Sequence, residues 1–369
     1  MVNRRYYPTN VQMPSGQTLL LGGSGVGNPG PPPVPPPLVR PMESFSGTTW
    51  VETGPNVPQA TNLYPRVKLV PGGSYVMAGP SKQTYVWDGN VSHGWQAPSM
   101  GINKLNADRH DGAVVLLDGL QKIFAAGGNT AAEGTGCPTN SSELYDIASQ
   151  SWSAVSQCMC YARYNLNLVL LADGSVLAVG GGDGFGNNYS GPELDAELYN
   201  PATQTWSVMR AQKVQRTYHS TALLLPDGRV LSAGSDKNAG QAGSADNTFE
   251  IFSPPYLFNS DGSGATQPKI TSVPSTIHYG SANAFTIVTQ DVATAASIVK
   301  VALVRPGAVT HANDFEQRYV TLTFSHPSGT NQLTATPPSD STVAPPGYYM
   351  LFILNSSTPS VAMFTNLQP

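Results

Sequence analysis

Through residues 1–258 the chain runs in short apolar segments, paired across a tight polar turn, and the second segment of each pair closes on glycine. Val11–Gly23, Val67–Gly79, Val115–Gly128, Leu168–Gly181 and Ala222–Gly234 all carry this pattern. Their turn glycines, Gly16, Gly72, Gly119, Gly174 and Gly228, stand about 50 residues apart. Three of the turns read Asp-Gly (Asp118, Asp173 and Asp227 before their glycines). Asp-Gly between two apolar runs predicts a hairpin, because glycine accepts the positive φ of the turn without a Cβ penalty.

The second half of each unit repeats as well. Glu143-Leu-Tyr145 leads to Trp152, and Glu197-Leu-Tyr199 leads to Trp206 at the same spacing. Tyr85 to Trp95 and Phe45 to Trp50 are looser versions. Each unit therefore predicts a four-stranded meander, with Gly-Gly where strands crowd a central axis and an aromatic packed between neighbours. The period is that of a kelch-type β-propeller, with five recognisable repeats over 1–258. Seven blades at ~50 residues each need ~350 residues, so the propeller reads as about two blades short. The proline-dense run Pro29–Pro41 cannot pair as a strand and reads as a polyproline loop within the first blade. Residues 259–267 read as a linker, and 268–369 as an immunoglobulin-like β-sandwich of short Val/Ile/Thr/Tyr-rich strands without the repeat.

Charge narrows the function classes. Only 11% of residues are charged, with a net charge of −4, against ~25% charged in ordinary soluble domains. That excludes a long-helix protein, and no Lys/Arg cluster offers a nucleic-acid face. No apolar run reaches the ~18 residues of a membrane helix, and the first residues lack the apolar stretch of a secretory signal. Cys137, Cys158 and Cys160 are too few for a disulfide scaffold; a single bridge from Cys137 to Cys158 or Cys160 is the simplest use of them. Sequons at Asn90, Asn140, Asn188 and Asn355, with the low charge, lean toward an extracellular setting.

Two of the six histidines stand in unusual settings. His219 follows Tyr218 where the last repeat begins, and His311 lies within Ala308–Val320 of the C-terminal domain. Neighbours on a regular strand face opposite ways, so Tyr218 and His219 share a site only where the strand is irregular. For either histidine alone a structural role outweighs metal binding.

With these residues the chain resembles the galactose oxidase and glyoxal oxidase family of copper radical oxidases. Tyr218–Val230 resembles the family's Tyr-His copper motif almost residue for residue. Ser253–Ser260 and Pro268-Lys-Ile270 are similar to its domain junction, Thr310–Arg318 to the loop that sends a second histidine down the propeller axis, and Pro345–Leu354 to its closing strands. The resemblance implies Cu(II) held by Tyr7, Tyr218, His219 and His311. Tyr218 would be the axial tyrosine and base, and Tyr7 the radical carrier, in the lead-in Arg5-Tyr6-Tyr7-Pro8-Thr9. Imidazole and phenolate donors suit a tetragonal Cu(II) site. The implied reaction oxidises a small aldehyde, a primary alcohol or a carbohydrate with O2 and yields hydrogen peroxide. Arg66 and Tyr164, in lead-ins that face the pocket in relatives, would contact substrate, although a structural strand start is the plainer reading of both.

Two family features are missing. The thioether cysteine upstream of the radical tyrosine has no counterpart, since none of the six residues before Tyr7 is Cys. With the short propeller, this reads as an N-terminally truncated member; a true five-bladed relative without the thioether is the competing account. Gly25 stands where galactose oxidase places a shielding Trp, which predicts a less shielded radical and makes galactose the poorer substrate. The alternative function is a non-catalytic kelch module that binds carbohydrate or protein.

Overall fold

The computed structural model describes residues 1–25, 38–58, 63–103, 105, 107–130, 137–183, 191–236, 246–356 and 358–369. Most of the Pro29–Pro41 run and the sequon Asn188 lie outside the described residues.

Each repeat folds as one antiparallel meander. The first sheet is β1 (Thr9–Gln12), β2 (Thr18–Leu21), β3 (Glu43–Phe45) and β4 (Trp50–Glu52); the second is β5 (Val67–Leu69), β6 (Tyr75–Met77) and β7 (Tyr85–Trp87). The third comprises β8 (Ala113–Leu116), β9 (Lys122–Ala126), β10 (Ser142–Asp146) and β11 (Ser151–Ala154). The fourth comprises β12 (Asn167–Leu170), β13 (Val176–Val179), β14 (Asp195–Asn200) and β15 (Thr205–Ala211), and the fifth β16 (Thr221–Leu224), β17 (Val230–Ala233) and β18 (Phe249–Phe252). All five turn glycines take φ between 81° and 94°, the conformation the hairpins require of them.

Paired aromatics join the sheets. Tyr145 lies opposite Trp152 and Tyr199 opposite Trp206 in the strand register. Phe124 of the third sheet stacks on Tyr199 of the fourth with centroids 4.2 Å apart. The Trp206 indole N–H reaches back to Ser142 Oγ at 3.2 Å, and that of Trp152 to Thr84 Oγ1 at 2.8 Å. Each tryptophan thus spends its polar end on the preceding sheet and its ring on the core.

The Gly-Gly ends have a steric cause. A Cβ on Gly127 would meet the Arg163 carbonyl oxygen of the next repeat at 2.5 Å, and one on Gly181 would meet the Tyr164 carbonyl oxygen of its own repeat at 2.5 Å. The chain leading into each sheet is therefore pressed against glycine from two sides. A buried arginine pins that lead-in. Arg5, Arg109, Arg163 and Arg216 each donate to the carbonyl of the glycine that follows the second strand, Gly22, Gly127, Gly180 and Gly234. Three also pair with a third-strand glutamate: Arg5 with Glu43 at 2.8 Å, Arg109 with Glu143 at 2.5 Å and Arg163 with Glu197 at 2.5 Å. Arg216 reaches Asp246 at 3.4 Å and Glu250 at 3.8 Å.

The C-terminal part is a β-sandwich with one short helix, α1 (Val292–Ser297). One sheet runs β19 (Ile270–Ser272), β21 (Phe285–Thr289), β27 (Gln332–Ala335), β26 (Phe324–Ser325). The other runs β20 (Thr276–His278), β30 (Met363–Gln368), β28 (Gly347–Asn355), β22 (Ile298–Arg305), β25 (Arg318–Leu322), with β29 (Thr358–Pro359) on β28. Between β22 and β25 a two-stranded hairpin, β23 (Val309–Thr310) and β24 (Asn313–Asp314), leaves the sandwich and enters the propeller. Apolar residues of both parts share clusters: Val304, Met350 and Phe352 pack with the inner strands of the third to fifth sheets.

One expectation fails here. Cys137, Cys158 and Cys160 are all exposed and unbonded. Cys137 lies between β9 and β10, and the other two flank the buried Met159, so no cysteine bridge ties these loops.

The Arg163–Glu197 pair is fully buried, so removing one partner strands a charge at a cost of about 3–5 kcal/mol. Glu197→Ala is expected to lower the unfolding free energy by that amount in urea titration. The double change Arg163→Met with Glu197→Leu is expected to lose less than the single change.

Candidate metal centre

Each sheet is preceded by one residue at positive φ: Tyr7 (59°), Tyr64 (48°), Asp111 (54°), Asn165 (56°) and His219 (63°). L-residues rarely adopt this conformation. Here it turns the chain sharply into the first strand. Successive lead-ins touch: Tyr64 N donates to the Tyr7 carbonyl at 3.0 Å and Asn165 N to that of Asp111 at 2.8 Å. The turn at His219 also answers the adjacency problem. Residues 217–220 precede β16 and are not strand, so Tyr218 and His219 need not face opposite ways.

The fourth predicted ligand comes from the other domain. His311 (φ 50°) and Ala312 (φ 59°) form the tip of the β23–β24 hairpin. Two consecutive left-handed non-glycine residues are strained by about 1–3 kcal/mol each and persist only where their surroundings fix them. Arg66 supplies such a fixture. It is 2% exposed, and its guanidinium donates to the carbonyls of Gly112 (3.0 Å), Tyr64 (2.6 Å) and His311 (3.2 Å).

Tyr7, Tyr218, His219 and His311 converge. The two phenol oxygens lie 2.8 Å apart. The His219 and His311 rings are 4.6 Å apart, the Tyr7 and His311 rings 4.6 Å, the Tyr218 and His311 rings 5.0 Å, and the Tyr218 and His219 rings 3.9 Å. Burial pushes the His311 imidazole down to about 3, helped by His219 and Arg66 nearby. Burial also raises the Tyr7 phenol, against the hydrogen bond with Tyr218 that lowers it.

The donor set suits a metal ion. His311 Nδ1 is engaged by Thr310 Oγ1 at 2.7 Å, while its buried Nε2 has no hydrogen-bond partner. Buried polar atoms without partners are rare and call for an explanation, and a metal ligand held through its other ring nitrogen is one. His219 is likewise engaged through Nδ1, by Asp236 Oδ2 at 2.8 Å, on a more exposed side chain. Among the described residues no three His, Cys, Asp or Glu side chains gather into a rival cluster.

The two predicted substrate contacts are placed differently. Arg66 borders the cluster, with three N–H donors on backbone carbonyls, His311 among them. Tyr164 is 4% exposed, and its backbone is bridged to Gly182 at a strand start. A cavity of about 500 Å³ between the fourth and fifth sheets is lined by none of the four convergent residues. The structure adds Tyr6 and Tyr64, which stack on the Tyr7 ring at 3.8 and 4.7 Å. Tyr64 also stacks on His311 at 4.6 Å, and burial pushes its phenol up to about 12, opposed first by Thr310. Tyr6 and Tyr64 thus lie against the Tyr7 ring, which is itself half-buried. Tyr64 was findable in the sequence: it occupies the position of Tyr7 in the second repeat.

The fold and cluster define a β-propeller joined to a sandwich domain, the two jointly supplying oxygen and nitrogen donors. The comparisons are more specific. Residues 107–256 match the glyoxal oxidase N-terminus family and 267–367 the galactose oxidase-like early set domain. A galactose oxidase of Gibberella zeae is 34% identical over 302 residues, covering 79% of this chain and 43% of that protein. The aldehyde oxidase GLOX of Vitis pseudoreticulata is 28% identical, covering 99% of this chain and 72% of that protein. A solved fungal alcohol oxidase of the AA5 family, in complex with copper, matches with a TM-score of 0.87 at 27% identity, over 100% of this chain and 77% of its own. The chain belongs to the galactose oxidase and glyoxal oxidase family of copper radical oxidases. It spans less than half the length of the Gibberella zeae relative, 43%.

The His311 value gives a pH test. Its folded value of about 3 lies below the ordinary 6.5, so on acidification the unfolded chain takes up this proton first. The contribution is fully present above about pH 6.5 and lost as pH falls toward 3. The metal-free protein is expected to lose unfolding free energy over this range, and His311→Gln to flatten that part of the slope.

Proposed function

We propose that the chain is a copper radical oxidase-like protein that oxidises a small aldehyde or primary alcohol with O2 and releases hydrogen peroxide. The observation that carries this reading is the convergence of two phenols and two imidazoles around the partnerless His311 Nε2. Tyr7, Tyr218, His219 and His311 would hold the metal. Bound copper would supply a one-electron couple and a Lewis-acidic position for substrate.

The chain's own residues define the rest. Tyr218, half-buried and hydrogen-bonded to Tyr7, is placed to take the proton of a substrate hydroxyl. The half-buried Tyr7 ring is stacked against Tyr6 and Tyr64. Relatives named as galactose, aldehyde and alcohol oxidases support a small carbonyl or hydroxyl substrate. The low charge and the sequons, of which Asn90 is exposed, support an extracellular setting. The kelch assignment and the boundaries at 258 and 268 belong to the same proposal, supported by the repeat and by the end of the propeller strands at Phe252.

A second reading keeps the copper but not the oxidation: a kelch module that binds carbohydrate or protein. The three exposed cysteines favour it, because all lie in loops of the third and fourth sheets and none beside Tyr7.

Titration of the folded chain with Cu(II) is expected to show one bound ion with a tyrosinate charge-transfer band, lost in His219→Ala and His311→Ala. Peroxide release is expected from a panel of small aldehydes and primary alcohols. Tyr218→Phe is expected to keep copper and lower turnover by about 10²–10⁴-fold, the usual weight of a general base. Folded protein that takes up no copper overturns the proposal, and copper uptake without peroxide from any substrate selects the second reading.

A further inference from the structure

The two imidazoles of the cluster are held differently. His311 Nδ1 meets a hydroxyl, Thr310 Oγ1, which donates or accepts and so does not choose a tautomer. His219 Nδ1 meets a carboxylate, Asp236 Oδ2, at 2.8 Å. An ionised carboxylate only accepts, so Nδ1 carries the proton and the Nε2 lone pair is left for the metal. Among the described residues His219 is the only ion-pair partner of Asp236.

Asp236 is also fixed in place. Its N–H donates to the Tyr218 carbonyl at 3.0 Å. The preceding Ser235 accepts from Thr217 N at 2.9 Å on its hydroxyl and from Asp246 N at 2.7 Å on its carbonyl. The carboxylate is thus tied to the segment that carries both Tyr218 and His219, although it lies 17 positions beyond His219 and outside the Tyr-His motif.

We propose that Asp236 is a positioning residue for the metal, setting the His219 tautomer and making that imidazole the stronger donor of the two. The inference rests on the copper reading of the cluster. Carboxylates behind a ligating histidine orient it and raise its basicity, and their loss typically costs 10–100-fold in metal affinity.

The test uses the full 369-residue chain with Cu(II) alone as the probe. In competition against a chelator, Asp236→Ala is expected to bind Cu(II) about 10–100-fold more weakly, with altered copper hyperfine splitting in its EPR spectrum. Asp236→Asn, which keeps an acceptor but no charge, is expected to fall between. Equal affinity and an unchanged spectrum in Asp236→Ala would overturn the proposal. Should that variant not fold, Asp236→Asn and the wild type decide it. ¹⁵N NMR of the metal-free wild type is expected to show His219 protonated at Nδ1, and a proton at Nε2 instead overturns the assignment. Wild type that binds no copper defeats the copper reading, and the NMR result still decides Asp236.

Discussion

The structure depends on one insertion, that of the Val309–Asp314 hairpin into the propeller. Its tip is strained at His311 and Ala312, and its backbone is held by side chains of several sheets. Arg66 takes the His311 carbonyl, Lys68 the Asp314 carbonyl at 2.6 Å, and Asn313 reaches Thr9. In return, Gln317 bonds both Leu168 and Leu170, and Arg318 bonds Leu69. Burial pushes Lys68 down to about 8, with Asp314 opposing. A buried cation is costly unless it is hydrogen-bonded, and here its bond goes to hairpin backbone. The same contacts dock the domains and aim His311, so one cannot loosen without the other.

The small share of charge takes on meaning in this light. A chain with 11% charged residues places Arg5, Arg109, Arg163 and Arg216 inside, each on a carbonyl next to the propeller axis. These arginines hold the lead-ins against the glycines, and the lead-ins of Arg5 and Arg216 carry Tyr7, Tyr218 and His219. The second repeat departs from this scheme. It has Asn62 rather than arginine two places before Tyr64, and its arginine, Arg66, serves the hairpin instead. That exchange adapts one repeat to receive the other domain.

How far the sequence could be read follows from the same geometry. The hairpins, the glycine ends and the paired aromatics were legible because each depends on residues near in sequence and recurs from repeat to repeat. The four convergent residues were legible through the resemblance and not through spacing, since Tyr7 and Tyr218 meet across 211 positions. Where the Arg66 and Tyr164 side chains go was not legible, because a lead-in arginine or tyrosine looks the same whether its side chain faces the axis or the sheet. Tyr164 and Tyr218 both stand directly before a left-handed residue, Asn165 and His219, yet the first is buried and the second meets Tyr7. Asp236 was illegible because nothing local marks it; its role exists only once β17 has brought it back to His219.

The stacking around Tyr7 extends the cluster past the four convergent residues. Tyr7, Tyr218, His219 and His311 meet without reference to Tyr6 or Tyr64. Yet Tyr6, Tyr7, Tyr64 and His311 form a continuous run of ring contacts, with centroids 3.8 to 4.7 Å apart. Tyr6 follows from its neighbour in sequence, but Tyr64 is brought in by a separate strained turn, and its carbonyl is held by Arg66. The left-handed turn itself precedes every propeller sheet, at Asp111 and Asn165 as well, so the repeat alone brings Tyr64 to this end of its sheet. What the second repeat adds is Arg66, whose guanidinium joins the Tyr64 and His311 carbonyls and so fixes the ring run to the inserted hairpin.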